Sequence, residues 1–484
     1  MKKLFLLSAT LLFVLFINAQ IVNIPDATFK AILVGSASIN TNMDGEIQVS
    51  EALAYTGAFN FSAAGIADYT GIEAFTALTE FDCGDDLITS LDLSNNVALI
   101  ELRCDNNQLT TLNLSNNTAL TYLSCGSNLI TSLYLSNNTA LTELWCRQND
   151  LTSLDFSSNT ALINLDCAFN DITSLDFSSN TALTYLNCSF NDITSLDFSN
   201  NTALINLNCY YNQLTTLDVI INTALTNLDC GHNLITSLDF SNNTALTYLH
   251  FSENLLTSID VSNNTALTEL WCNSNQLTTL DVIINTALIY LNCGYNLITS
   301  LDASNNTALT ELLCNSNQLS TLDLSNNTAL TELWCNSNQL SSLNVKNGNN
   351  VSLLNFNVTN NTNLHCIEVD DSTWSATNWT NIDTWTSFSI NCYYSLNELQ
   401  ISELKIAPNP FIESFIVSLP DNVNIANIDI ILYNILGKQI EVSIEKTNNK
   451  IRINGANLKS GIYFVELREK NSLIGKAKLV KEYE

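Results

Sequence analysis

Leu120-Thr121-Tyr122-Leu123-Ser124-Cys125-Gly126-Ser127-Asn128, then Ile130-Thr131-Ser132-Leu133-Tyr134-Leu135-Ser136-Asn137-Asn138, is the stretch that decides the fold. Its first half reads L-x-x-L-x-C-x-x-N; its second half repeats the pattern with Leu in place of Cys. The same pair of half-repeats recurs at every cysteine from Cys83 to Cys230 and from Cys272 to Cys335, always 21 residues apart. Phe251 fills the one skipped position and Phe356 the last. One register every 21 residues from Cys83 to Phe356 makes fourteen. A period of this length, so often repeated, means a solenoid in which each copy buries its apolar side against the next.

Leu123 and Cys125 alternate with polar residues, so both point inward from a short strand. Copies stacked in parallel about 4.8 Å apart give an array roughly 65 Å long. The Asn three residues after each Cys, from Asn107 to Asn338 with Asp86 at the start, is placed to bond the main chain of adjacent coils. A second Asn column runs from Asn96 to Asn327. Both halves look strand-like, so the convex side is expected to be thin and nearly free of helix.

These residues resemble the leucine-rich-repeat family, in its nested 21-residue bacterial variety with Cys in a Leu slot, over residues 78–364. The resemblance implies a mostly β, right-handed solenoid whose concave face carries the binding surface.

The ladder cysteines are expected to be free, buried thiols packed among Leu side chains. Phe at two equivalent positions favours packing over chemistry, and in-register parallel neighbours have poor disulfide geometry. Cys366 and Cys392 lie off the ladder in a Trp-rich stretch (Trp374, Trp379, Trp385), a C-terminal cap over 365–395, and are the disulfide candidates.

Lys2 and Lys3 precede an apolar run from Leu4 to Phe16, with Ile17-Asn18-Ala19 as a cleavage site before Gln20. Residues 1–19 therefore read as a signal peptide, too short for a membrane span. No later stretch is long and apolar enough for one. The formal net charge of −30 is unevenly spread. Residues 4–395 carry only Lys30, Arg103, Arg147 and Lys346 as basic residues among many acidic ones, whereas 396–484 are balanced, which marks a boundary near 396 with a linker over 396–402. So acidic a body excludes nucleic acid as a partner.

Residues 20–77 form the N-terminal cap, opening with an amphipathic helix from Ile24 to Leu33. Asn40, Asn42, Asp44, Gly45, Glu46 and Glu51 follow the spacing of an EF-hand loop, with Asn40 where that loop has Asp. This spacing suits one structural Ca²⁺ in the cap or a bare turn of similar shape; no cofactor is expected elsewhere. Residues 403–484 hold short apolar strands separated by turns, as in a small Ig-like β-sandwich. Pro408-Asn409-Pro410, the N-x-x-G-K of Asn434–Lys438, the L-x-x-G-x-Y of Leu458–Tyr463 and a basic end at Lys476, Lys478 and Lys481 are similar to the type A C-terminal sorting domain. That resemblance implies export through the type IX secretion machinery of Bacteroidota and a secreted or cell-surface location.

Outward positions beside the strands carry Trp145, Phe169, Tyr185, Phe190, Tyr210, Tyr211, Tyr248, Trp271 and Tyr290, densest in the middle coils. Exposed aromatics at this density point to recognition of an extracellular protein or a glycan. A column of acids, Asp155 to Asp323, on the second half-repeat is expected to be held by Ser/Thr hydroxyls and turn amides. His232, His250 and Glu253 are close in register but read as surface residues, and no nucleophile, metal or phosphate-binding motif appears. The sequence therefore reads as a recognition or adhesion protein without catalysis; a structural surface-layer component is the alternative, and a hydrolase the weakest reading.

Overall fold

The computed structural model describes residues 20–392, 405–419, 428–447, 450–469 and 472–482; the signal segment 1–19 and the linker 396–402 lie outside them. The chain divides into two compact units, Met1–Ser387 and Phe388–Glu484, shortly before the break in charge.

The first unit is the solenoid. Fifteen three-residue strands, from Ala58–Asn60 to Asn355–Asn357, form one continuous parallel sheet in chain order. Register is regular: Tyr122 pairs with Glu143, Leu123 with Leu144 and Ser124 with Trp145, and so on along the array. The middle residue of each strand points in, and every ladder cysteine after it is 0–1% exposed. All twelve ladder cysteines are free thiols, with burial pushing their pKa upward; for Cys293 the value reaches about 12. Cys366 and Cys392 are disulfide-bonded.

Two internal Asn ladders tie the coils together. Asn170 donates through Nδ2 to the carbonyls of Cys146 (3.2 Å), Cys167 (3.0 Å) and Ala168 (3.2 Å), while its Oδ1 accepts the Leu151 amide at 3.1 Å. One side chain so satisfies four main-chain groups that a turning strand leaves inside the core. Asp86 replaces Asn in the first coil because its neighbours there are donors: the amides of Gly65 and Ile66 and the Tyr69 hydroxyl, at 2.7–3.1 Å. In the second ladder Asn117 Nδ2 donates to Leu93 and Asn96 carbonyls.

On the opposite side the second half-repeats are thin, extended segments without helix. Main-chain pairing there is continuous only in the last coils, where Thr321–Asp323 pairs with Ser342–Asn344 and that strand with Cys366–Glu368. Elsewhere the pairing thins to isolated bridges, Leu112 with Leu133 and Tyr134 with Asp155, and single bonds such as Leu129 N to Leu109 O at 2.9 Å. Each acid of the column accepts its own i+2 amide, Asp176 from Ser178 at 2.9 Å and Asp197 from Ser199 at 2.8 Å, so the chain bends away just past the inward Leu. These local bonds hold the Asp176 and Asp197 carboxyls below their ordinary pKa.

Both ends are sealed by aromatic rings. Asp26 caps the helix Ala27–Gly35 through the amides of Thr28 and Phe29, and the helix buries Phe29 and Leu33. Phe29 packs edge-on against Tyr69 (5.1 Å between centroids), and Phe59 stacks on Phe61 (4.8 Å) over the first coil. At the far end Trp379, 3% exposed, stacks on Phe356 at 4.1 Å, which accounts for a ring in the last ladder slot.

The second unit has two four-stranded antiparallel sheets around one core, to which Phe415, Ile451 and Ile453 of one sheet and Leu432, Val465 and Leu479 of the other contribute. Its sequence motifs are structural fasteners. Asn409 accepts from Val480 N (2.9 Å) and donates to Lys478 O (2.8 Å), pinning the P-N-P turn to the last strand. Asn434 Oδ1 accepts both Leu436 and Lys438 amides at 3.0 Å around Gly437, whose φ of +73° suits a residue without Cβ. The Tyr463 hydroxyl closes the third motif on Lys459 O at 2.8 Å.

Candidate binding surface

The strand face changes character along its length, and the nine aromatic candidates separate into three groups. Trp145 and Tyr185, 5.7 Å apart and tilted, line a groove of about 720 Å³ over the early coils. The groove also holds Arg103 and Arg147, two of the very few basic side chains in the body. Arg103 lies 4.5 Å over the Tyr122 ring and 2.9 Å from Glu101. Two groove carboxylates, Asp105 and Asp166, have their pKa raised by burial; Asp105 accepts the Ser124 hydroxyl at 2.6 Å and Asp166 the Ala168 amide at 3.0 Å.

The middle group is a ridge. Phe169, Phe190, Tyr211 and His232 sit one per coil, two residues after the ladder cysteine. Their rings stack like coins: 4.1 Å and 11° for Phe169–Phe190, 4.9 Å and 16° for Phe190–Tyr211, 4.1 Å and 6° for Tyr211–His232. Glu253 closes the row, its Oε2 2.6 Å from His232 Nδ1. Tyr210 leans on this ridge and reaches His250 at 5.6 Å. The third group continues from there: His250 lies 5.7 Å from Trp271, which stacks on Tyr290 at 4.2 Å, and Tyr248 meets His250 edge-on. Burial pushes the Tyr290 phenol up to about 12.

All four ridge residues have φ between +51° and +54°. In this left-handed region a Cβ-bearing residue other than Asn or Asp costs about 1–2 kcal/mol. Asn106 occupies the same position in an earlier coil at φ +54°, so the repeat accommodates the less strained choice. The same φ recurs at this position in every coil from Asp85 to Ser337, with Asp, Ser, Gln, Glu or Tyr there, so the backbone cost belongs to the repeat and not to the rings. The turn itself does not call for rings, and Phe169 and Tyr211 stay 46% and 45% exposed, as a surface meant for contact would.

Among the described residues no three His, Cys, Asp or Glu side chains converge as they would to hold a metal ion. The histidines pair separately, His232 with Glu253 and His250 with Asp229 at 3.0 Å. His250 Nε2 also hydrogen-bonds the Ser252 hydroxyl. Acid, imidazole and hydroxyl in that order is the arrangement of an activated nucleophile. Ser252 is only 4% exposed, however, which closes its oxygen to a substrate carbonyl.

In the cap loop, Glu51 Oε1 accepts the Thr41 amide (2.7 Å), the Thr41 hydroxyl (2.8 Å) and the Asn42 amide (3.2 Å), and Oε2 accepts the Gln48 amide (3.0 Å). Asp44 accepts the Glu46 amide and the Gln48 and Asn42 side chains, and Glu46 pairs with Lys30 at 2.6 Å. Asn40 is 3% exposed and its Nδ2 donates to Val34 O. The buried Asn40 Oδ1 has no partner, yet the carboxylate atoms a cation needs are taken up by donors, so this donor set does not fit Ca²⁺ as it stands.

Sequence reasoning named these nine aromatics by column but missed how they group. His232 continues the ridge at the same 21-residue spacing as Phe169, Phe190 and Tyr211, a signal present in the sequence. Arg103 and Arg147 stand out by rarity alone; their shared groove needs the coil geometry.

Fold and surface together define a cysteine-ladder leucine-rich-repeat solenoid followed by an export module. Residues 405–482 match the model of the secretion system C-terminal sorting domain, which gives type IX secretion and a cell-surface or secreted location. No curated protein matches the chain. Among solved structures, the functional domain of InlJ from Listeria monocytogenes, which includes a cysteine ladder, is 29% identical with a TM-score of 0.67, covering 96% of this chain and all of that one. An internalin, InlF, from the same organism is 25% identical (TM-score 0.55; 69% of this chain, 95% of that one). A Leptospira interrogans leucine-rich-repeat protein, LIC12759, shares the fold at 23% identity (TM-score 0.53; 57% and 76%). No helix among the described residues is long and apolar enough to cross a membrane.

Proposed function

We propose that this is an extracellular recognition or adhesion protein, without catalytic activity, that engages a protein or glycan through its strand face after type IX export from a member of the Bacteroidota. The observation that carries the reading is the stacked row of rings on the strand face, with Phe169 and Tyr211 left nearly half exposed. Likeness to internalin-type solenoids supports a binding role in general.

The test is an array of extracellular proteins and glycans probed with the purified protein, then with Tyr210→Ala and Tyr185→Ala. Loss of the captured ligand with unchanged melting supports the reading. Full retention in both variants, or no capture by the parent, favours the alternative of a structural surface-layer component.

A further inference from the structure

The partner's chemistry can be argued further, on the reading that the strand face binds. Aromatic sites for sugars offer an open ring face to the flat side of a pyranose. The ridge does the opposite. Within the row each ring face is covered by the next ring, at 4.1–4.9 Å, and the His232 end is engaged by Glu253. Beyond the outer face of Phe169, which starts the row, what reaches solvent is ring edge: apolar, with the positive rim of the quadrupole outward. Aliphatic side chains and the faces of other aromatic residues pack well there; a stacked sugar does not.

Two residues beyond Gln148, Phe169 and Phe190 lie Asp150, Asp171 and Asp192, all exposed, one per coil. Neighbouring carboxylates in such a row repel one another. Among the described residues none of the three is in an ion pair, and Asp192 is met only by the neutral Gln213 amide at 2.7 Å. The body around them has few cations to offer: of its 17 basic residues the chain keeps just Arg103, Arg147, Lys30 and Lys346 between residues 4 and 395. An apolar ridge bordered by unneutralised acids is complementary to a chain bearing apolar anchors and Lys or Arg side by side.

We infer that the Phe169–His232 ridge and the Asp150–Asp171–Asp192 row together form a docking site for a basic, apolar-sided polypeptide segment of a partner protein. The rings provide the anchor and the acids set orientation and on-rate.

The probes are two synthetic peptides of the same alternating pattern, one Leu/Lys and one Leu/Glu, and a neutral chito-oligosaccharide, titrated calorimetrically into the purified protein. The Leu/Lys peptide is expected to bind, the other two not. Phe169→Asn/Phe190→Asn/Tyr211→Asn should weaken it at least tenfold while melting no lower than the parent, since Asn suits the left-handed backbone. Asp150→Asn/Asp171→Asn/Asp192→Asn should weaken it and flatten its dependence on salt. Leu/Lys affinity untouched by the ring variant would mean diffuse attraction to an acidic body, and would overturn the site. Oligosaccharide binding lost in the ring variant would overturn the inference yet leave a binding function intact. Collapse of the ring variant's melting temperature would make the rings structural, against both.

Discussion

At the residue scale, the acidic column shows how the repeat manages its own charge. Asp155, Asp176 and Asp197 each face a like neighbour one coil away, yet each is held below its ordinary pKa by the amide and hydroxyl of the Ser two residues on. A carboxyl whose folded value is lowered contributes stability in full above the unfolded value near 3.8 and loses it as pH falls through the folded value. Asn113 makes the same turn without a charge, accepting the Ser115 amide at 3.1 Å. Asp155→Asn/Asp176→Asn/Asp197→Asn should therefore melt no higher than the parent at pH 7 and lose less than the parent between pH 7 and pH 3. An equal acid loss in parent and variant would show that the turn carboxylates do not carry the acid sensitivity.

At the scale of elements, the sequence spoke clearly wherever one rule repeats. Strand, turn, ladder and Asn columns follow from the 21-residue period alone, because every copy solves the same packing problem. The fates of Asn40, Asn42, Asp44 and Glu51 were less legible, since spacing suits either a cation or a self-bonded turn and only the direction of Glu51 separates them. Both Glu51 oxygens point at main-chain amides, one of them inside a capping box with Gln48. We propose that the loop is closed by its own hydrogen bonds. Melting measured with and without a Ca²⁺ chelator should then agree within a degree or so, while Glu51→Gln should lower it. A chelator-dependent drop would restore the cation and place Asn40 Oδ1 among its ligands. The three-way grouping of Trp145, Tyr210 and Trp271 was likewise hidden, because column membership is a matter of sequence but contact between columns depends on side-chain reach.

At the scale of the molecule, the proposed recognition surface and the export module belong to separate parts of the chain. The sorting domain keeps its motif residues busy internally: Asn409, Asn434 and Tyr463 brace turns, Lys476 pairs with Glu466 at 3.0 Å, and Lys481 donates to Ile412 O over the Phe411 ring. Its recognition must then depend on the shape these bonds maintain. Deleting residues 396–484 should leave the solenoid folded inside the cell envelope, with the export seen for the full chain lost. Export at the parental level would contradict the role of this domain.

The ladders have a consequence for how such a surface can change over generations. The ties between 21-residue coils join residues 19 to 24 positions apart, so each reaches only a neighbouring coil. Excising or duplicating one 21-residue block therefore restores every Asn bond, strand pair and thiol contact with an identical substitute. Unequal recombination could lengthen or shorten the ridge by a single ring and its neighbouring acid, tuning grip in discrete steps while the rest of the scaffold keeps its frame.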